Sequence, residues 1–515
     1  MTGAPYPVRR TAARREAVAF GGLNWGDDWR AGELSGCEGL SLERYPCLSQ
    51  RAGRREAARY ESPTALYAGD MLCVVDGTRF LYGGVNEGTV RPGEKRFATL
   101  NSQIVIFPDK LRFNTVTGVL DSLEAAVSIP AGGVSFTAGT LAAADGGFAG
   151  VFRAGDGVEI RGCISHPANN GFHIIRSVTA GELTFDAGAF EPGSEGGAVS
   201  VRRTVPDLEW ICESGNRLWG VEGQTIYASA LGDPTNFHVF DGLSTDSFAA
   251  AVGTGGAFTG CAAYGGAALF WKEDCVHKVL GNFPAQYEIY TYQIPGVQAG
   301  SGKSLAVINE MLYYKGRDGV YAYDGGTPAL VSGCFGRRRF YDAAAGNGGG
   351  RYVVSMRDEA GEWGLYVYAP DGPARGRWIR EDGTRALDFA ALDGAFYYLD
   401  AETGALVLTG QKGDGGGRIP WSATLCPFYE GTLGRKGYVR LYLRAELEEG
   451  AWVRVACSED GGPFRPVWAS HDSRAGTAVI PLLPGRCDRF QIRISGRGGC
   501  LLRSLEREFS VGSER

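Results

Sequence analysis

The feature that most constrains this chain is a phrase that returns along it. A short Gly-bounded turn is followed by an aromatic-rich strand, a second turn and another aromatic strand. Residues 213–229 (ESGNRLWGVEGQTIYAS), 264–280 (YGGAALFWKEDCVHKVL), 308–326 and 392–408 carry the phrase in full. Residues 66–84 are an earlier copy, and residues 359–372 keep half of it. Each copy predicts an antiparallel hairpin, because aromatic and β-branched residues alternate between turn residues. Hairpins that recur at irregular spacings of about thirty to fifty residues predict the blades of a β-propeller rather than one large sandwich. Glycine occurs 79 times, mostly between apolar runs, which suits many tight turns. No long segment shows 3.6-residue periodicity, so the expected fold class is all-β.

A chain of 515 residues exceeds the size of one ordinary core and predicts several domains. Residues 1–62 are rich in Arg, Gly and Pro and read as an extended arm with isolated anchors such as Leu23, Trp25, Leu40 and Tyr45. Hairpins begin at residue 63 and run to 118 as the first part of the propeller. Over residues 119–205 the aromatic pairs vanish and the rhythm shortens, which predicts a small β domain, a β-barrel or a sandwich, inserted in a propeller loop. Blade phrases resume over residues 206–410, and residues 411–420 (QKGDGGGRIP) form a Gly-rich linker. Residues 421–515 carry long alternating strands; Phe490, Ile492 and Ile494 against Gln491, Arg493 and Ser495 mark one buried and one wet face of a C-terminal β-sandwich.

Charge and motifs exclude several functions. The net charge of −6 argues against a free-standing nucleic-acid binder, while a mildly acidic wall would let nucleic acid slide past without gripping it. Apolar runs are too short to span a membrane, and residues 1–20 lack the apolar stretch of a secretory signal. The twelve cysteines contain no CxxC pair and read as buried reduced thiols. GVQAGSGKS (residues 296–304) approaches a phosphate loop, but Val297 stands where the pattern needs glycine, and no βαβ unit surrounds it. SEDGGPF (residues 458–464) approaches a sialidase-type Asp-box, with Arg465 in place of the expected Trp. His166, His173, His238, His277 and His471 are isolated and lack metal spacing. No pair stands out among the 58 acidic residues. GRRRF (residues 336–340) reads as a solvated inter-blade loop, with an acidic partner or DNA phosphate as the alternative. Trp219, Trp271, Tyr313, Tyr314, Tyr397 and Tyr398 recur at equivalent hairpin positions, which predicts inter-blade packing rather than a sugar platform. These readings predict no catalytic, cofactor or metal residues, no cofactor, and a protein that is not an enzyme.

The order FGGLNW…GCEGLSLERYPCLSQRAGRR, then QIVIFPDKLRFNT, then NRLWGVEGQTIYASALGDPTNFHVF (residues 216–240) resembles bacteriophage and prophage tail proteins. It is similar to the propeller-bearing tail hub, nozzle or packaged-DNA stabilisation proteins of short-tailed phages, with the sequence FSVGSER at its end. The resemblance implies a structural virion protein in the tail, assembled in the host bacterial cytoplasm. It further implies a hexameric ring as the homo-oligomer, portal or adaptor proteins as partners, and packaged DNA retained and then guided out through the lumen. The inserted residues 119–205 depart from that pattern. Two alternatives follow from the propeller alone: a glycan-binding or glycan-cleaving host-receptor adhesin, and a structural part of a long tail or baseplate.

Overall fold

The computed structural model describes residues 14–143, 146–371, 376–472, 476–483 and 485–511. The first 13 residues, on which part of the signal and arm readings falls, and the closing GSER lie outside them. Among the described residues there is no α-helix, and the fold is all-β, of the β-propeller class. The chain forms two compact units, residues 61–305 and residues 1–60 with 306–515.

In the unit of residues 61–305, four blades follow one another as four-stranded antiparallel meanders. The third blade is representative, with strands Trp210–Glu213, Leu218–Glu222, Thr225–Ala228 and Phe248–Ala251. Its second strand is buried along most of its length, as expected for a strand with blades on both faces. The next blade begins with Gly260–Tyr264 and Ala267–Trp271, joined through Gly265 and Gly266 at φ +58° and +75°. Consecutive positive φ values are what a two-residue hairpin turn demands, and glycine supplies them without strain. The first strands of the second, third and fourth blades pack side by side.

The insertion differs from expectation in where it starts. Val119–Ser122 pairs with Leu111–Asn114 as the outer strand of the second blade, so the excursion starts after it. That strand is short and largely exposed, which gave it the small, polar look of the insert. The insert opens with Ala125–Ile129 and closes with Val199–Arg203, paired antiparallel. It is built of a four-stranded and a five-stranded sheet around a shared apolar core, the sandwich of the two expected forms rather than the barrel. At its root, Lys110 Nζ bonds Glu124 Oε1 at 2.9 Å and Asp207 Oδ1 at 2.7 Å, clasping the outgoing and returning chain together.

In the other unit three blades run through residues 306–411, and the last takes its outer strand from Gly53–Arg59, which pairs with Ala405–Gln411. The reading of residues 1–62 as an arm is corrected accordingly. Leu34–Glu38 pairs with Pro420–Leu425 in one sheet of the C-terminal sandwich, and Leu48–Gln50 and Arg14–Val18 pair with Cys500–Val511 in the other. The segment is therefore ordered by its own chain. Phe20, Leu23, Leu34 and Leu40 are buried in a core shared with Trp421, Ile492 and Phe509. Arg54 fixes the closing strand, donating to Glu381 at 2.7 Å, Asp382 at 2.6 Å and Thr384 at 3.1 Å.

Candidate functional site

Most motifs singled out in the sequence are structural. In the GVQAGSGKS segment, Gly302 sits so close to Trp210 that a Cβ would lie 2.1 Å from the indole ring, and Lys303 pairs with Glu94 at 3.4 Å. In the SEDGGPF turn, Ser458 Oγ donates to Gly462 O at 2.5 Å, and Asp460 accepts the amides of Asp488 and Arg489. His277 is fully buried between the hydroxyls of Thr254 and Thr291, each 2.8–2.9 Å away. His173 packs against Phe185 and Phe190, His238 against Phe172, and His166 lies 3.8 Å from Glu195; His471 is exposed. Among the described residues no group of three His, Cys, Asp or Glu side chains is arranged to hold a metal ion. All twelve cysteines are unbridged.

The aromatic pairs do stitch blades together. Trp219 meets Tyr287 of the following blade at 5.0 Å, and Tyr313 meets Tyr352 and Tyr368 at 5.5 and 5.7 Å. Tyr314 and Tyr398 serve inside their own blades, against Tyr321 and Phe389 respectively.

One motif does reach a site. In GRRRF, Gly336 adopts φ +61° and packs against the backbone of Trp25, while Phe340 enters the core. This turn lays the Arg338 guanidinium over the Trp25 ring at 3.9 Å. Trp25 is itself held by its indole N–H, which donates to Ser35 O at 2.8 Å, and by Phe335 beneath at 5.2 Å. The pair opens one end of a cleft of about 530 Å³. One wall is the blade of residues 340–382, contributing Asp358, Glu362, Trp363, Tyr366 and Arg380. The opposite wall comes from Leu34–Glu38 and two sandwich strands, contributing Glu38, Ser422, Thr424, Arg493 and Ser495.

The strand geometry explains this assembly. Alternation puts Thr424 and Ser422, and likewise Arg493 and Ser495, on the wet face of their strands, opposite the buried Ala423, Ile492 and Ile494. Arg380 bridges the walls: its guanidinium bonds Glu38 and Trp363 O, and its amide donates to Cys37 Sγ at 3.2 Å. Burial pushes the Cys37 thiol up to about 12, despite the opposing influence of Arg380, so it is no nucleophile near neutrality. Burial likewise raises the Tyr366 hydroxyl, against the pull of Arg380. Asp358 is engaged in its own turn, its carboxylate accepting the amides of Ala360 and Glu362 at 2.9 Å each. Glu362 is exposed and has no ion-pair partner among the described residues. The cleft thus combines indole and phenol rings, hydroxyls, guanidiniums and carboxylates, the mixture that grips a polyhydroxylated ligand. Its residues come from four distant stretches of sequence, so sequence patterns marked only its Arg338 end.

The all-β, propeller-class scaffold with a polar lateral cleft defines the kind of molecule. No family model and no curated protein matches the chain. Among solved structures it is similar to an exo-β-1,3-galactanase from Phanerochaete chrysosporium, at 11% identity and TM-score 0.20, over 56% of this chain and 92% of that one. It is also similar to a family 43 arabinoxylan arabinofuranohydrolase from Bacillus subtilis, at 8% identity and TM-score 0.17, over 89% and 97%. A Bacillus thuringiensis Cry1Da tryptic core variant matches at 11% identity and TM-score 0.16, over 50% and 51%. The expectation that the chain is not an enzyme is corrected by these matches, which include glycoside hydrolases. At such scores they assign no residue role and no substrate to this chain. Among the described residues no helix is long and apolar enough to cross a membrane.

Proposed function

We propose that this chain is a glycan-binding or glycan-cleaving β-propeller protein of the host-receptor adhesin kind, with the cleft between the blade of residues 340–382 and the sandwich as its sugar site. The observation that carries this reading is the convergence of Trp363, Arg338 and Glu362 with the hydroxyls of Ser422, Thr424 and Ser495 on one water-accessible cleft. Indole faces stack on the apolar faces of sugar rings, and hydroxyls and charged groups around the edge bond the sugar hydroxyls. Of the cleft carboxylates, Asp358 and Glu362 have no ion-pair partner among the described residues, and Glu362, the more exposed, is the one proposed for proton transfer to a glycosidic oxygen. The test is a glycan array probed with the full chain, followed by titration calorimetry and by reducing-sugar release on each ligand found. Binding that falls at least tenfold in Trp363→Ala, with the thermal midpoint unchanged, is the expected outcome. Binding untouched by that substitution would refute this site.

A second reading, a component of a phage tail, is favoured by residues 216–240, where the resemblance is densest. Those positions are heavily committed in this fold. Arg217 is fully buried and donates to Ser229 O at 2.7 Å, Ser244 O at 2.6 Å and Asp246 O, and Asn236 bonds the buried Asp156 at 3.1 Å. An adhesin carried on a tail satisfies both readings. Negative-stain images of the purified protein distinguish them: rings support the tail hub or nozzle, and isolated monomers at micromolar concentration count against it.

A further inference from the structure

We infer that the cleft selects glycans that bear a carboxylate, taken up by the guanidinium groups of Arg338 and Arg493. This deepens the proposed function and rests on it.

The charges in the cleft are not equally available. Arg380 is paired with Glu38 and also donates to the Trp363 carbonyl, while Asp358 uses Oδ1 to accept two amides of its own turn and keeps its charge. Arg338 and Arg493 are different. Neither has a carboxylate within ion-pair distance among the described residues, and both line the cleft. Each is nonetheless held in place. The Arg338 guanidinium lies 3.9 Å from the Trp25 ring centre, and that of Arg493 lies 4.0 Å from the Phe464 ring centre. Arg493 is further fixed by its Nε, which donates to Thr424 Oγ1 at 3.0 Å.

A guanidinium held over an aromatic face keeps outward-pointing N–H groups in its own plane, above the ring, for an incoming acceptor. Little rotamer entropy is then lost when an oxyanion arrives, and a planar carboxylate fits the fork in a two-point contact. The two arginines approach the cleft from opposite walls, one from the blade unit's loop before residue 340 and one from the sandwich strand Phe490–Arg497. Asp358 and Glu362 are the opposing charges, both contributed by the blade, with Glu362 on its exposed edge. Selection of an acidic sugar therefore rests on the position and orientation of the two aromatic-backed guanidiniums rather than on a net positive charge of the cleft. Ser422, Thr424 and Ser495 beside Arg493 supply the hydroxyl partners that a free inorganic anion would not need.

The experiment titrates the full chain with three oligosaccharide sets of matched length: sialic- or uronic-acid-terminated, sulfated, and neutral. It is repeated with Arg338→Gln, Arg493→Gln and the conservative Arg493→Lys. Carboxylate-bearing ligands binding at least tenfold more tightly than neutral ones, with that preference lost in both Gln variants and weakened by salt, is the predicted result. Partial recovery in Arg493→Lys separates charge from two-point geometry. A preference for sulfated over carboxylated ligands overturns the inference, as does equal binding of acidic and neutral ligands that ignores both Gln variants; each leaves the glycan site standing. Absence of binding by every set removes the glycan reading itself. Both arginines are exposed, so unchanged thermal midpoints are expected and keep the comparison interpretable.

Discussion

Two buried titratable residues, Glu195 and His277, contribute to how this protein responds to acid. Glu195 in the insert accepts the backbone amides of Ile164, Ser165, His166 and Gly197 at 2.8–3.2 Å. Burial pushes its carboxyl upward, but these four donors outweigh it and hold the group at about 2. A depressed carboxylate contributes stability that is present above its ordinary value near 4.5 and is lost as pH falls toward 2. His277 acts over a higher window. Burial, reinforced by Lys272, lowers it from 6.5 to about 4, so the folded state keeps it neutral where the unfolded chain would protonate it. Its contribution is complete above pH 6.5 and declines as pH falls to 4. Thermal melts of His277→Gln should therefore show a shallower loss of stability between those values than the parent. Glu195→Gln should lower the insert's protection in hydrogen exchange at pH 7 and narrow the gap to the parent below pH 4. A parent-like slope in the first variant, or unchanged protection in the second, contradicts these assignments. Neither role was legible in the sequence, since a lone His or Glu carries no sign of what encloses it.

At the scale of elements, the hairpins were readable and their partners were not. Turn glycines such as Gly265 and Gly266, with aromatic strands on either side, fix local pairing within a few residues. The closing strand Gly53–Arg59 reads GRREAAR, with almost nothing apolar, because it forms an exposed blade edge whose order derives from backbone pairing and from Arg54. Its partner lies some 350 residues away, beyond any local pattern. Arg54 is mostly buried and faces Glu381 and Asp382, themselves partly enclosed. Arg54→Ala would strand Glu381 and leave Asp382 only Arg51, 3.7 Å away, and should cost about 3–5 kcal/mol, the range seen when one partner of an enclosed ion pair is deleted. Chemical denaturation measures this directly, and a loss below about 1 kcal/mol, typical of surface pairs, would contradict the role given to the residue. Gly302 presents the opposite case, a glycine demanded by close approach. Trp210 cannot retreat, since its indole N–H donates to Phe258 O at 3.0 Å and Arg96 covers its other face at 4.1 Å. Gly302→Ala should destabilise by about 1–3 kcal/mol through overpacking.

At the scale of the whole molecule, the sequence announced an all-β propeller-class protein with an insertion and a sandwich, and the structure agrees. It did not announce that residues 14–59 would be distributed among the sandwich sheets and the last blade. That interleaving is what builds the cleft, because Trp25 and Glu38 come from it. Cleft and closing strand consequently depend on the same N-terminal segment, and truncation before residue 60 should abolish both glycan binding and cooperative unfolding of the last blade. Hydrogen–deuterium exchange of the full chain, with and without a saturating acidic oligosaccharide, tests the central claim most directly. The account predicts added protection confined to the cleft segments around Trp25 and Arg338 and to residues 34–38, 358–366, 422–424 and 493–495. Protection centred elsewhere, on the insert or on the blade of residues 260–293, or none at saturation, would contradict it.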